Sequence, residues 1–163
     1  MVKSILFVAF YFALLPPVVH AQSLAYKAML NGFYDPEFPV VRIDQVEVLD
    51  KAVFLDTRER SEFDVSHIKG AKWVGYDTFS LERVKGLPKD RPIVVYCSVG
   101  ARSQEIGQKL QKAGFTQVYN LYGGIFHWVN EGKPVYSGGV QTQNVHAYNL
   151  AWGIWLTKGE KVY

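Results

Sequence analysis

The sequence predicts an α/β domain built on a mainly parallel central sheet, with helices covering both faces. Short β-branched or aromatic segments alternate with segments of helical spacing, the order that makes parallel strands joined by crossover helices. The most strand-like segment, Pro92-Ile93-Val94-Val95-Tyr96, carries no charge, as a strand covered on both sides requires. A composition that is 48% hydrophobic and 15% aromatic removes the disordered class and supplies one domain's core.

The elements follow in chain order. Residues 23–31 (SLAYKAMLN) have weak helical character, and Gly32 is a helix stop. Tyr34 to Pro39 is turn-rich, Val40 to Ile43 is a short strand, and Asp44 is a suitable cap for a helix through Leu49. Ala52 to Leu55 is an apolar run of strand length, and Ser61 to Val65 is a brief helical turn. Lys72 to Tyr76 is a further strand. Ser80 to Lys85 is helical, closed by Gly86 and Pro88. After the strand ending at Tyr96, Ser103 to Ala113 carries Ile106 and Leu110 at helical spacing, with Gly114 as its stop. Val118 to Leu121 is a strand, followed by Gly123-Gly124 and an apolar turn from Ile125 to Val129. Ser137-Gly138-Gly139 reads as flexible, and Asn149 to Thr157, with Trp152 and Trp155, reads as a docking helix.

The N-terminus divides from the rest by composition. Lys3 precedes an apolar run to Val19, and Val19-His20-Ala21 offers a small-residue cleavage site before Gln22. Charge, apolar run and small residues in that order form a secretory signal. A membrane anchor competes with it, but a span wants about 20 apolar residues, and Pro16-Pro17 interrupt this shorter run. The expected organisation is therefore a signal peptide at 1–21, an N-terminal extension at 22–39, a core domain at 40–136 and a tail at 137–163. It implies an exported chain, periplasmic or secreted, with no stable membrane insertion after cleavage. Loss of Lys3 lowers the formal charge from +3 to +2, and no basic block follows, so nucleic-acid binding is not expected.

Cysteine usage narrows the chemistry. Exported proteins use cysteines in pairs because their compartment is oxidising, yet Cys97 stands alone in this chain. A lone thiol is buried and inert, paired with another chain, or kept for reactivity. Its neighbours favour reactivity. Cys97-Ser98-Val99-Gly100-Ala101-Arg102 joins the buried strand to the helix near Ser103, so helix-start amides face whatever anion occupies the loop. The positive end of the helix dipole favours a thiolate. Gly100 lets consecutive amides turn inward, and Arg102 adds a planar fork of donors. A thiolate held in an anion cradle is a nucleophile.

Four segments in order resemble the rhodanese-like domain family. They are Val53-Phe54-Leu55-Asp56-Thr57-Arg58-Glu59; Glu62-Phe63 with His67-Ile68-Lys69-Gly70-Ala71; Val95 to Ser103; and Val118 to Trp128. The resemblance covers about residues 40–135 and implies a rhodanese-like fold of the exported single-domain type. It implies a sulfurtransferase that moves a sulfane sulfur from a small donor to a thiol or cyanide through a persulfide on Cys97. The amides of Ser98, Val99, Gly100, Ala101 and Arg102 would cradle that persulfide, with Ser103, Asp56 and Arg58 in support and no cofactor. Thiosulfate is one donor the family suggests. The loop's lack of a second basic residue leaves polysulfides, persulfides and thiosulfonates beside it.

Other readings stand beside this one. A rhodanese-like module that binds sulfur or docks a partner without turnover keeps the same residues. In cysteine phosphatases and arsenate reductases the loop arginine lies six residues after the cysteine; here Arg102 lies five after Cys97, a smaller ring that suits one sulfur atom. His67 reads as a hydrogen-bonded structural histidine, since no ligand set surrounds it and no metal site is expected. Asp56 and Arg58 read as loop organisers. His127 and His146 read as packing residues, as do Trp152 and Trp155, for which a partner surface is the alternative.

Overall fold

The computed structural model describes residues 19–163. The signal-peptide reading therefore falls on residues 1–18, outside the described residues, and on the first turn of helix α1, Val19–Phe33. Among the described residues no helix is long and apolar enough to cross a membrane.

Five strands form one parallel sheet in the order β1-β5-β4-β2-β3. They are β1 (Val40–Val41), β2 (Val53–Asp56), β3 (Lys72–Trp73), β4 (Ile93–Tyr96) and β5 (Val118–Leu121). Strand β4 lies at the centre and all four of its residues are buried. Its side chains alternate between two cores. Ile93 and Val95 join Leu55, Val118, Ile106 and Leu110 on one face, while Val94 and Tyr96 join Val41, Leu121, Ile125 and Phe126 on the other. The strand period of two thus serves two separate hydrophobic layers.

Helices cover both layers. Helix α4 (Ala101–Lys112) and a 3₁₀ helix (Leu81–Val84) pack on the first face. On the second lie α1, α5 (Gly124–Asn130) and the C-terminal segment, with Val48 and Leu49 of the short α2 (Val46–Leu49) at the margin. Helix α3 (Arg60–Val65) follows β2 and closes on itself by a capping box between Glu59 and Glu62.

Several boundaries differ from the sequence expectation. Helix α1 runs through Gly32 to Phe33, because Leu30 and Tyr26 are buried in the core and tertiary packing carries the helix past its weak stop. Helix α2 starts at Val46, one residue later than a cap at Asp44 would place it, and the Gln45 side chain accepts the Arg42 N–H at 2.6 Å. Helix α4 begins at Ala101 with Gly100 as its cap, so Arg102 and Ser103 are helical residues. Ile125 to Val129, expected as a turn, lies inside α5.

The tail departs most. Ser137-Gly138-Gly139 is no flexible linker: Gly138 and Gly139 make the turn of a hairpin between β6 (Val135–Ser137) and β7 (Val140–Thr142). The docking helix shrinks to α6 (Leu150–Gly153), capped by the Asn149 side chain. It stops because Trp155 and Leu156 turn back with tighter three-residue bonds and Leu156 enters the core. Two further strands, β8 (Asn144–His146) and β9 (Glu160–Val162), pair in parallel, and β8 packs against α3.

Candidate active site

In open α/β sheets, ligands bind beyond the carboxyl ends of the strands where the winding reverses. Here the chain leaves β2 for β3 on one side and β4 for β5 on the other, so that point lies between β2 and β4. Thr57 and Arg58 follow β2 there, and Cys97 and Ser98 follow β4. The Thr57 backbone N–H and hydroxyl both donate to the Tyr96 carbonyl, at 2.9 and 3.1 Å, tying the two strand ends together.

Cys97 is 1% exposed, and its Sγ accepts the Gly100 N–H at 3.1 Å. Gly100 makes that bond with φ of 107°, a backbone that disfavours any side chain, and an added Cβ would lie 2.1 Å from Tyr34 Oη. The next amides, of Ala101 to Ser103, have no acceptor inside α4, whose first turn closes with Gln104 N–H on Gly100 O. The sulfur therefore sits at the dipole-positive end of α4, with a backbone donor already on it.

The loop is held from three sides. Ile125 and Phe126 of α5 donate to the carbonyls of Cys97 and Ser98, at 2.9 and 3.1 Å. This fit needs Gly124, where a Cβ would stand 2.4 Å from the Cys97 oxygen. From the α1 side, Tyr34 Oη donates to Val99 O at 2.7 Å and accepts the Gly123 N–H at 2.8 Å. From β5, Asn120 Nδ2 donates to Gly100 O at 2.9 Å, while Asn120 Oδ1 accepts from the buried Ser103 hydroxyl at 2.8 Å. Burial pushes the phenols of Tyr26 and Tyr34 well above the ordinary range, with the nearby Cys97 adding to both shifts.

Arg102 is not free. Its two terminal nitrogens bind the two oxygens of Glu62 at 2.9 Å each, and one also donates to Ser98 Oγ at 3.2 Å. Ser98 Oγ donates in turn to Glu62 at 3.2 Å. Burial acts to raise the Glu62 pKa, but hydrogen bonding and charge from Arg102, helped by Arg58, prevail and hold it below the usual carboxylate range. The guanidinium expected as a fork of donors for a bound anion is thus already paired with Glu62. Asp56 and Arg58 form a second pair at 2.6 Å, both fully buried, and Arg58 also donates to Ser66 O at 2.6 Å. They brace the turn after β2, away from direct contact with the sulfur.

His67 stacks on Phe63 at 4.0 Å, with Nδ1 3.1 Å from the Phe63 carbonyl. His127 lies edge-on to Tyr122, while Trp155 packs on Tyr26 and Trp152 on Phe33. No group of three or more metal-ligating side chains occurs among the described residues. Sequence reasoning did not single out Glu62, Asn120 or Tyr34 as site residues. Glu62 stood in a quoted motif and three residues after Glu59, the only advance signal of its capping and pairing.

The rhodanese-like domain family model matches residues 42–131. Over 85 residues the chain is 38% identical to a probable adenylyltransferase/sulfurtransferase, MoeZ, of Mycobacterium tuberculosis, covering 52% of this chain and 22% of that protein. It is 37% identical over 78 residues to the protein YqhL of Bacillus subtilis, covering 48% and 61% respectively. The chain thus spans less than two thirds of the length of these relatives. A rhodanese-related protein from Thermoplasma volcanium superimposes with a TM-score of 0.54 at 28% identity, covering 61% of this chain and 98% of that one.

Proposed function

Because the chain belongs to the rhodanese-like domain family, we propose that it is a sulfurtransferase that carries sulfane sulfur on Cys97. The observation that carries this reading is the Gly100 N–H donated to Cys97 Sγ at the start of α4. A donor amide and a helix N-terminus favour negative sulfur at that atom. The thiolate attacks the outer sulfur of a donor; a new S–S bond forms, and the leaving group, sulfite where the donor is thiosulfate, departs with the electron pair of the broken bond. The terminal persulfide sulfur then takes the negative charge, facing the free amides of Ala101 to Ser103. A thiol or cyanide attacks that sulfur and returns Cys97 to its thiolate. Sulfur transfer by a thiolate needs little proton movement.

The fork of Arg102 on Glu62 also argues against phosphoryl or arsenate chemistry, which would need those donors for its own oxygens. The slight exposure of Cys97 favours a second reading, a module that holds one sulfur and hands it only to a docked partner. Export of the chain, with cleavage before Gln22, rests on the charge and apolar order of residues 1–21.

Intact mass spectrometry of the protein expressed as the full chain, before and after thiosulfate or polysulfide, tests all three points. The expected result is a chain beginning at Gln22 that gains one sulfur, and loses it to cyanide as thiocyanate over many cycles. Cys97→Ser gains none. Sulfur gain that survives this substitution overturns the mechanism, and one sulfur without cycling selects the second reading.

A further inference from the structure

We infer that Tyr34 is a positioning residue for Cys97: its hydroxyl holds the Val99 carbonyl and so turns the Gly100 N–H, the other end of the same peptide, onto the sulfur. The use of that hydrogen bond in sulfur transfer rests on the reading above. A trans peptide is planar, and its C=O and N–H point in opposite directions. Tyr34 Oη donates to Val99 O at 2.7 Å, and the Gly100 N–H donates to Cys97 Sγ at 3.1 Å. One peptide plane therefore links the phenol to the thiol, and the two need not touch.

The loop by itself leaves this plane open. Gly100 has φ of 107°, and glycine populates negative φ about as readily. Turning the Val99–Gly100 peptide over would bring that φ to an ordinary negative value and aim the N–H away from the sulfur. The neighbouring peptides are held by other donors. The Ile125 and Phe126 N–H groups donate to the carbonyls of Cys97 and Ser98, and Asn120 Nδ2 donates to Gly100 O. Those donors lie within residues 42–131, the stretch that matches the family, whereas Tyr34 lies ahead of it. The peptide that serves the sulfur is thus set by the N-terminal segment.

Tyr34 is fastened on both sides. Its N–H donates to Leu30 O at 3.0 Å, and Leu30 is fully buried. The Asp35 N–H donates to Gln104 Oε1 at 2.8 Å and Gln108 Nε2 donates to Asp35 Oδ2 at 3.1 Å, tying the next residue to α4. The Tyr34 ring stands edge-on to Tyr122, with centroids 6.0 Å apart. A hydroxyl has one hydrogen and two lone pairs. The Gly123 N–H takes a lone pair at 2.8 Å, which leaves the hydrogen for Val99. Burial outweighs the Gly123 bond and raises the phenol pKa well above its ordinary value, so the donor hydrogen is retained while a thiol ionises.

Tyr34→Phe keeps the ring and removes the donor. Cys97 is the sole cysteine, so isotopically labelled cysteine gives a single Cβ resonance that reports its ionisation. That readout needs no reagent to reach a sulfur that is 1% exposed. A hydrogen bond to a charged group contributes roughly tenfold to an equilibrium. The thiolate-to-thiol ratio at a given pH is therefore expected to fall about tenfold in Tyr34→Phe, moving the titration to higher pH, and the Gly100 amide resonance is expected to shift with it. A lower melting midpoint with an unmoved titration shows that Tyr34 only braces the loop and overturns the proposal. So does a moved titration with an unmoved Gly100 amide. Sulfur loading from thiosulfate or polysulfide, read by intact mass, is a separate measurement. Wild-type protein with the Tyr34-dependent titration but no sulfur uptake keeps the positioning role and removes sulfur transfer. Protein that loads and cycles sulfur, with equal titrations in wild type and Tyr34→Phe, keeps transfer and removes the positioning role.

Discussion

Replacing Glu62 by Gln would leave Arg102 with half a fork and an uncompensated charge in a largely buried place. Breaking a buried pair by removing one partner costs about 3–5 kcal/mol. Arg102 keeps 19% of its side chain exposed, so the lower end of that range is expected, measured by urea unfolding. The pH dependence has a definite sign. Since the folded protein holds the Glu62 pKa below its ordinary 4.5, the pair's contribution is complete above that value and fades as pH falls through the lower folded one. Wild-type and Glu62→Gln melting temperatures should therefore differ at neutral pH and converge in acid. A constant gap across that window would show that Glu62 acts through packing alone. The placement of Cys97 and its loop was legible from sequence because a strand end, a glycine and a helix start follow one another in one run. Glu62 stands 40 positions before Arg102, and no local pattern marks which carboxylate will meet which guanidinium.

Helix α4 presents the loop, and its seating on the sheet depends on small residues. Gly107 faces Phe38, and an added Cβ would come within 2.4 Å of the Phe38 ring. Helix propensity favours alanine over glycine by about 1 kcal/mol, but forcing a methyl into a packed core costs about 1–3 kcal/mol. Phe38 is buried, so its ring has little room to give way and the packing term wins. Gly107→Ala is expected to destabilise by roughly 1 kcal/mol, visible as a lower denaturant midpoint with unchanged slope; a stabilised variant would show that Phe38 moves freely. The five sheet strands were readable because each carries, or is flanked by, aliphatic or aromatic residues bounded by polar or turn residues. Their ends were less so, as at Ile43 and Tyr76, where the apolar pattern outlasts the pairing. The start of α4 was misplaced by two residues because the N–H of its cap, Gly100, is turned to the sulfur, a tertiary demand absent from helical periodicity.

At the scale of the molecule, the C-terminal segment completes a core rather than trailing from it. Val145 and Leu156 are buried to within 1% against α1, β1 and α5. Ending the chain at Thr142 would remove both and uncover the core residues they pack against, forfeiting about 3–6 kcal/mol of apolar burial for these two side chains. The melting midpoint is expected to drop by on the order of 10 °C, and a chain that melts unchanged would show that the segment merely rests on the domain. Composition and periodicity sufficed for the α/β class, the parallel sheet and the place of Cys97 between a strand end and a helix start, because hydrophobic spacing and a strand–loop–helix motif act over a few residues. Tertiary structure alone decided that Glu62 pairs with Arg102 and that Asn120 and Tyr34 brace the loop. Those pairings join side chains distant along the chain, and only the burial of shared apolar surface decides which of them meet.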